Sequence, residues 1–530
     1  MRRNRKESIQ FIKEIYRQHE AYWKDKKPSM KRLLDVYLCR FWDDQDNPDQ
    51  LVQVPDARNQ VESYISSLFS KAPSVVIGGD VQASKGSVPR AEAVVNRFLE
   101  GQAQTVTEAC RMALIFPCSY LVLRPSDSVD VLGRLELEAL RPWDVIVDRS
   151  SKDWNGQRWV GRISQIPVAS ASEIYGDHDW IGEQHVDYLA GNPTPAMKRD
   201  RKPIIDGEYL FVVIVELWDM LAGKKIIWTP SVKTNDGYIK VVDAVLDENG
   251  RMLIPVIPIY LHTNPESPLE GFSFLSTIYS QIKEKNLLRS HMQNAVRRDS
   301  RQYMYQKGSI DEEALAHLKM GADMTFIGVD NLDGLIVVPT VPLSNNYDKY
   351  GALIEADIER ANSMASFSRG QSTGITATEI SALAQYTQSE VGKLARIRDT
   401  SIELIARIYL AMLSKFVDDE ESVVLVVDGK PAILTATDLE GRFKITAVDQ
   451  GSLPISQAAK EAKLLSVAPL LLQLGVPKKT MLKELVMTFQ LDPSILDSVP
   501  DEEPAPAPPA APAQTPANPA ASQMAGQPVI

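Results

Sequence analysis

Residues 273–305 read SFLSTIYSQIKEKNLLRSHMQNAVRRDSRQYMY. The stretch holds neither proline nor glycine, and Leu275, Ile278, Ile282, Leu288, Met292 and Val296 recur at three- to six-residue intervals, the spacing that lines one face of an α-helix. At about 1.5 Å per residue the predicted helix is roughly 50 Å long, far beyond the mean helix of about 11–12 residues. Lys285, Arg289, Arg297 and Arg301 lie on its i+4 row, interrupted by Gln293, and the row drifts around the surface by about 40° per step. Such a stripe suits phosphates or the acids of a neighbouring subunit. A solvated basic face fits it as well.

Downstream, residues 306–342 break into a short helical run, Asp311–Met320, and two predicted strands, Met324–Ile327 and Leu335–Val338, closed by Pro339 and Pro342. A second helix fills 343–367, with Tyr350, Ile354, Ile358, Ala361 and Ala365 on one face. The segment 368–375, SRGQSTGI, has two glycines, several hydroxyl or amide side chains and little to bury, so it reads as an exposed loop. Thr376 and Glu379 then have capping-box spacing: the threonine oxygen accepts from the N3 amide while the glutamate reaches back to the cap amide. From there to Phe416 no proline interrupts an apolar stripe of Ile380, Leu383, Val391, Leu394, Ile402, Ile405 and Ile408, with Gly392 as a place for a bend. Strands follow at Val423–Val427, Ala432–Thr435 and Phe443–Ala447, then helices around Ile455–Leu474, bent at Pro469, and Lys478–Phe489. The Pro/Ala-rich tail, residues 499–530, has too little apolar surface to fold.

Upstream, residues 5–120 read as mainly helical, with Ile9, Ile12, Ile15 and Val61, Ile65, Leu68 at helical spacing. From Tyr120 the pattern turns to short strands: Tyr120–Leu123, Arg134–Ala139, Val145–Asp148, Tyr209–Trp218, Lys224–Trp228 and Ile239–Leu246. Asn155-Gly156 marks a hairpin turn, because both residues tolerate positive φ. Met252–Tyr260 is β-rich, but Pro255 and Pro258 each lack a ladder donor, which sends that strand to a sheet edge. The fold class is therefore α+β and mainly helical.

A chain of 530 residues exceeds one hydrophobic core. Its 44% hydrophobic and 24% charged residues are those of a folded protein. Three cysteines without metal-ligand spacing argue for a reducing compartment and against a zinc site. The basic N-terminus runs into an amphipathic rather than an apolar segment, unlike a secretory signal, and no stretch reaches the ~20 apolar residues of a membrane span. A net charge of −11 argues against a tight, non-specific grip on nucleic acid. No phosphate loop, HExxH, CxxC or GxSxG occurs. The best candidates for a metal-dependent hydrolytic site are Asp144, Asp148 and Asp153, and the pair Asp177 and Asp179 around His178. Their turn-rich setting also suits plain loop aspartates. The expectation is no enzyme, no cofactor and no metal.

Three segments carry a resemblance: SRGQSTGITATEISALAQYTQSE (368–390), PVIPIYLHTNPESPLEGFSFLSTIYSQIKEKNLLRSHMQ (255–293) and EALRPWDVIVDRSSKDWNGQRWVGRI (138–163). With the order of elements around them, the chain resembles the portal proteins of tailed bacteriophages, short-tailed ones among them. The resemblance implies a wing over 1–270, stem helices at 271–305 and 343–367, a clip at 306–342, a channel loop at 368–375, and a long bent helix with the crown over 376–498. It implies a ring of this chain, usually of twelve copies, at one capsid vertex of the virion, assembled in the host cytoplasm. Double-stranded DNA would pass through it during packaging and ejection. The implied partners are the terminase packaging motor, the major capsid protein and scaffold, and tail adaptor proteins. Ser368, Arg369, Gly370, Gln371, Ser372 and Thr373 would then face DNA, with Lys285, Arg289, Arg297 and Arg301 as stem cations and Thr376 and Glu379 as the cap that anchors the loop. Another head-to-tail connector, an internal scaffold, or a metal-dependent nuclease built on the three aspartates are the alternatives.

Overall fold

A computed structural model gives the structure of the chain. It describes residues 5–448 except 43–50, 70–71, 80–86, 127–132, 185–209, 234–236, 244, 247–249, 251, 268, 300–302, 306–311, 313–334, 338–345, 362–376, 417–422, 428–429, 436–438 and 440–442. Met1–Leu453 forms one compact unit. The second unit, Pro454–Ile530, lies outside the described residues, and with it the helices expected at 455–489 and the tail.

The fold is mixed α+β, with helix predominating. The helices are α1 (Arg5–Tyr37), α2 (Asp56–Leu68), α3 (Ser87–Gly101), α4 (Ala103–Ile115), α5 (Val168–Tyr175), α6 (Phe274–Asp299), α7 (Asn346–Ala361) and α8 (Ala377–Phe416). The strands are β1 (Val75–Gly79), β2 (Ser119–Pro125), β3 (Leu135–Leu140), β4 (Val145–Val147), β5 (Trp159–Pro167), β6 (Glu183–Gln184), β7 (Leu210–Asp219), β8 (Lys224–Trp228), β9 (Tyr238–Asp243), β10 (Val256–Ile259), β11 (Tyr303–Tyr305), β12 (Leu335–Val337), β13 (Val423–Val427), β14 (Lys430–Leu434) and β15 (Phe443–Ala447).

An antiparallel sheet runs in the order β4-β5-β7-β8-β9, with β6 also paired to β7. A three-stranded sheet runs β10-β2-β3. Its middle strand, β2, buries Ser119 through Leu123 on both faces, which explains a continuous rather than alternating apolar run. The proline-bearing β10 is an edge strand, as its two missing donors require, and Pro258 stands opposite Tyr120. The hairpin expected around Asn155-Gly156 joins β4 to β5, Val147 facing Val160, through an ordered loop that spans 148–158.

Helix α1 joins two cores because its apolar positions change partners along its length. Ile12 and Ile15 pack with Ile146, Val215, Leu217, Ile226 and Trp228 of the large sheet. Trp23, Met30, Leu33 and Val36 enter the main core beside α2, α3, α4 and α8. Each such buried side chain contributes roughly 1.5–3 kcal/mol. The stripe predicted on α8 is buried as expected from Val391 onward, with Val391, Ile405 and Tyr409 fully enclosed. Tyr409 stacks on Phe98 at 3.9 Å between ring centroids.

One expectation needs correction. The long helix ends at Asp299 instead of continuing to Tyr305: Tyr303–Tyr305 is strand β11, paired antiparallel with Leu335–Val337. The Tyr-Met-Tyr sequence suits a pleated ladder better than a helix end. The described part of the run 5–120 is mainly helical, with one strand, β1, at Val75–Gly79. Its partner is β15, so Phe443–Ala447 pairs with the N-terminal half of the chain rather than with β13 and β14. Leu335–Val337 falls where a strand was expected, whereas Asp311–Met320, Met324–Ile327 and the acidic run 418–421 lie outside the described residues, Glu312 apart.

Candidate functional site

Helices α6 and α7 form a hairpin whose inner contacts run in opposite order along the two helices. Lys285 bridges to Glu355, and Gly351 sits against Leu288, so the helices are antiparallel. Ile278, Ile282, Ile354 and Ile358 fix the hairpin to the main core. The hairpin also leaves the large apolar side chains of Leu287, Val296, Tyr347, Tyr350 and Leu353 exposed.

The foot of α6 is held by several local devices. Ser273 accepts the amide of Ser276 at 3.2 Å, an N-terminal cap, and donates its hydroxyl to the carbonyl of Ile115 at 2.7 Å. Between three and four turns further on, Asn286 and Ser290 are buried polar residues four apart. They accept the amides of Val54 at 3.0 Å and Val52 at 2.8 Å, so the segment before α2 is strapped along the helix. Neither residue stood out in the sequence; an i, i+4 pair of small polar residues within an apolar row was the signal available.

The predicted cations separate in this frame. Lys285 is largely buried between Asp56 at 2.7 Å and Glu355 at 3.2 Å, so its charge is taken up inside the chain. Arg289 is exposed. Arg297 lies on α6, with its side chain outside the described residues, as is the whole of Arg301. The loop residues Ser368, Arg369, Gly370, Gln371, Ser372 and Thr373, and Thr376 after them, also lie outside the described residues. Helix α8 begins at Ala377 and contains Glu379 in its first turn, again with the side chain undescribed.

The three aspartates weighed for metal chemistry serve the loop between β4 and β5. Asp148 accepts from the amide of Ser150 at 3.1 Å and from Arg158 Nε at 2.5 Å and Nη2 at 3.1 Å. Burial alone would raise its pKa, but the hydrogen bonds from Arg158 and Ser150 outweigh it and hold the carboxyl below its ordinary range. Asp153 accepts the amide of Gly156 at 2.6 Å, closing the Asn-Gly turn. Asp144 sits in the 3₁₀ turn ahead of β4, where burial pushes its carboxyl up to about 6 despite Arg141 nearby. His178 lies edge-on to Trp180, between the exposed Asp177 and Asp179. Among the described residues no group of three or more His, Cys, Asp or Glu side chains is placed to hold a metal ion. No described helix is long and apolar enough to cross a membrane.

One polar cluster was not foreseen. Glu270, three residues ahead of the Ser273 cap, is buried yet charged. It accepts from Tyr22 and from Lys26 at 3.0 Å, both on α1, and from Arg149 at 3.2 Å in the β4–β5 loop. The Arg149 guanidinium also lies over the Tyr22 ring, 3.4 Å from its centroid.

No protein-family model and no curated protein matches this chain.

Proposed function

We propose that the chain is the subunit of a portal ring, a channel through which double-stranded DNA enters and leaves a phage capsid. The observation that carries this reading is the order helix, paired strands, antiparallel helix, then a 40-residue helix whose stripe from Val391 onward is buried: α6, β11 with β12, α7 and α8. In this reading α6 and α7 are the stem, residues 306–342 the clip, residues 368–375 the channel loop, and residues 1–270 the wing. The exposed apolar residues of the hairpin support it, since two helices leaving this much apolar surface open gain from packing against further copies. The ring has no catalysis of its own. It docks the packaging motor on the clip during filling and tail adaptors afterwards, at one vertex shared with the major capsid protein.

Electron microscopy of the purified full-length chain tests this directly. Ring-shaped particles with a central channel are expected, and a monomer persisting at high concentration would overturn the reading. Deleting 306–342 should abolish motor docking while leaving the wing folded. A connector or scaffold without the stem–clip–stem arrangement would keep its docking after that deletion. Metal-dependent DNA cleavage that disappears in Asp144→Ala would favour a nuclease instead.

A further inference from the structure

Glu270 ties together three segments that are remote in sequence: α1 through Tyr22 and Lys26, the β4–β5 loop through Arg149, and the foot of α6, which begins four residues after it. The next residues leave the foot little freedom. Gly271 has φ +30°, and a Cβ there would lie 2.4 Å from the carbonyl oxygen of Pro117. The Phe272 amide donates to His262 at 2.8 Å, and Ser273 holds Ile115. The foot is therefore fixed to its neighbours without Glu270, and this carboxylate adds the charged contacts that link it to the middle of α1 and to Arg149. Cys118, just before β2, and Tyr120 on it also feel its charge, and burial raises the pKa of both. Two cations and a hydroxyl around one buried carboxylate form a grouping held by its charge.

We propose that Glu270 is a charge latch: while it is ionised, α1, the β4–β5 loop and the foot of α6 move as one, and neutralising it lets them part without unfolding the sheet. The latch belongs to the single chain and does not depend on ring assembly. In a portal ring it would join the stem to the wing.

Hydrogen exchange of the full-length chain carrying Glu270→Gln tests it. Amides within 19–27 and within 148–158 are expected to exchange about tenfold faster, with those of β7 and β8 unchanged. Unchanged rates in either segment, or an equal acceleration in β7 and β8, would overturn the latch. Should Glu270→Gln fail to fold, Tyr22→Phe removes the hydroxyl and Arg149→Gln removes the ion pair together with the guanidinium over the Tyr22 ring, each leaving the carboxylate in place. Tyr22→Phe must then accelerate 148–158, and Arg149→Gln must accelerate 19–27. Acceleration confined to the segment carrying the substitution would overturn the latch equally.

Discussion

Lys285 Nζ lies 2.7 Å from Asp56 Oδ2, which ties the middle of α6 to the first turn of α2. The acid also sits where a helix N-terminus favours negative charge. Because the lysine side chain is only 14% exposed, removing its nearer partner leaves a charge with little water to replace it. Asp56→Asn should lower the unfolding free energy by about 1–2 kcal/mol. Glu355, at 61% exposure, contributes a weaker bridge, and Glu355→Gln should cost less than about 0.5 kcal/mol. Urea titrations of the two variants check the ranking, and equal losses would contradict it.

The Asp148–Arg158 pair predicts a pH dependence. A carboxyl held below its unfolded value contributes stability that is present above the unfolded pKa and lost as pH falls through the folded one. Asp148→Asn should cost about 2 kcal/mol at neutral pH and flatten the acid limb of a stability-versus-pH curve, as measured by thermal melting between neutral and acid buffers.

Asp144 has the opposite sign. Its folded carboxyl titrates at about 6, above the unfolded value, so the folded chain holds a proton that the unfolded chain releases. Stability from this group therefore falls as pH rises from about 4 to about 6. Asp144→Asn should stabilise the chain by up to about 2 kcal/mol above that window and have little effect below it. A loss of stability at pH 8 in this variant would show that the ionised carboxylate is useful.

Gly271→Ala should be among the most damaging single substitutions. The added methyl meets two carbonyl oxygens, those of Pro117 at 2.4 Å and His262 at 2.6 Å, and neither belongs to a flexible side chain. A loss of about 2–4 kcal/mol is expected in denaturant unfolding.

Thr376→Ala should cost roughly 1 kcal/mol if the threonine caps α8. An unchanged melting midpoint would remove the cap, and with it the anchoring of the loop before it.

Much of the hairpin was legible because local periodicity dictates helices. Ile278 and Ile282 on α6 and Ile354 and Ile358 on α7 are buried as their spacing predicts. The edge position of β10 followed from proline chemistry alone. What stayed hidden depends on contacts distant in sequence. Val75–Gly79 gave no strand signal within the helical run 5–120, because its partner strand lies near the other end of the described chain. Lys285 looked like a free cation because nothing near it in sequence announces Asp56 or Glu355. Nothing near Glu270 in sequence announces that it gathers Tyr22, Lys26 and Arg149. Periodicity reports which face of an element is buried, and it is silent about which residue stands opposite.

The pairing of β1 with β15 also constrains how the molecule is made. A ribosome emits β1 early, and Gly79 meets its partner Phe443 only after most of the described chain has been synthesised. At about 5–20 residues per second that delay is some tens of seconds. During it an apolar strand edge stands open to strands of other nascent chains. A chaperone covering Val75–Ile77 during synthesis should therefore raise the soluble yield more than any change to the mature fold.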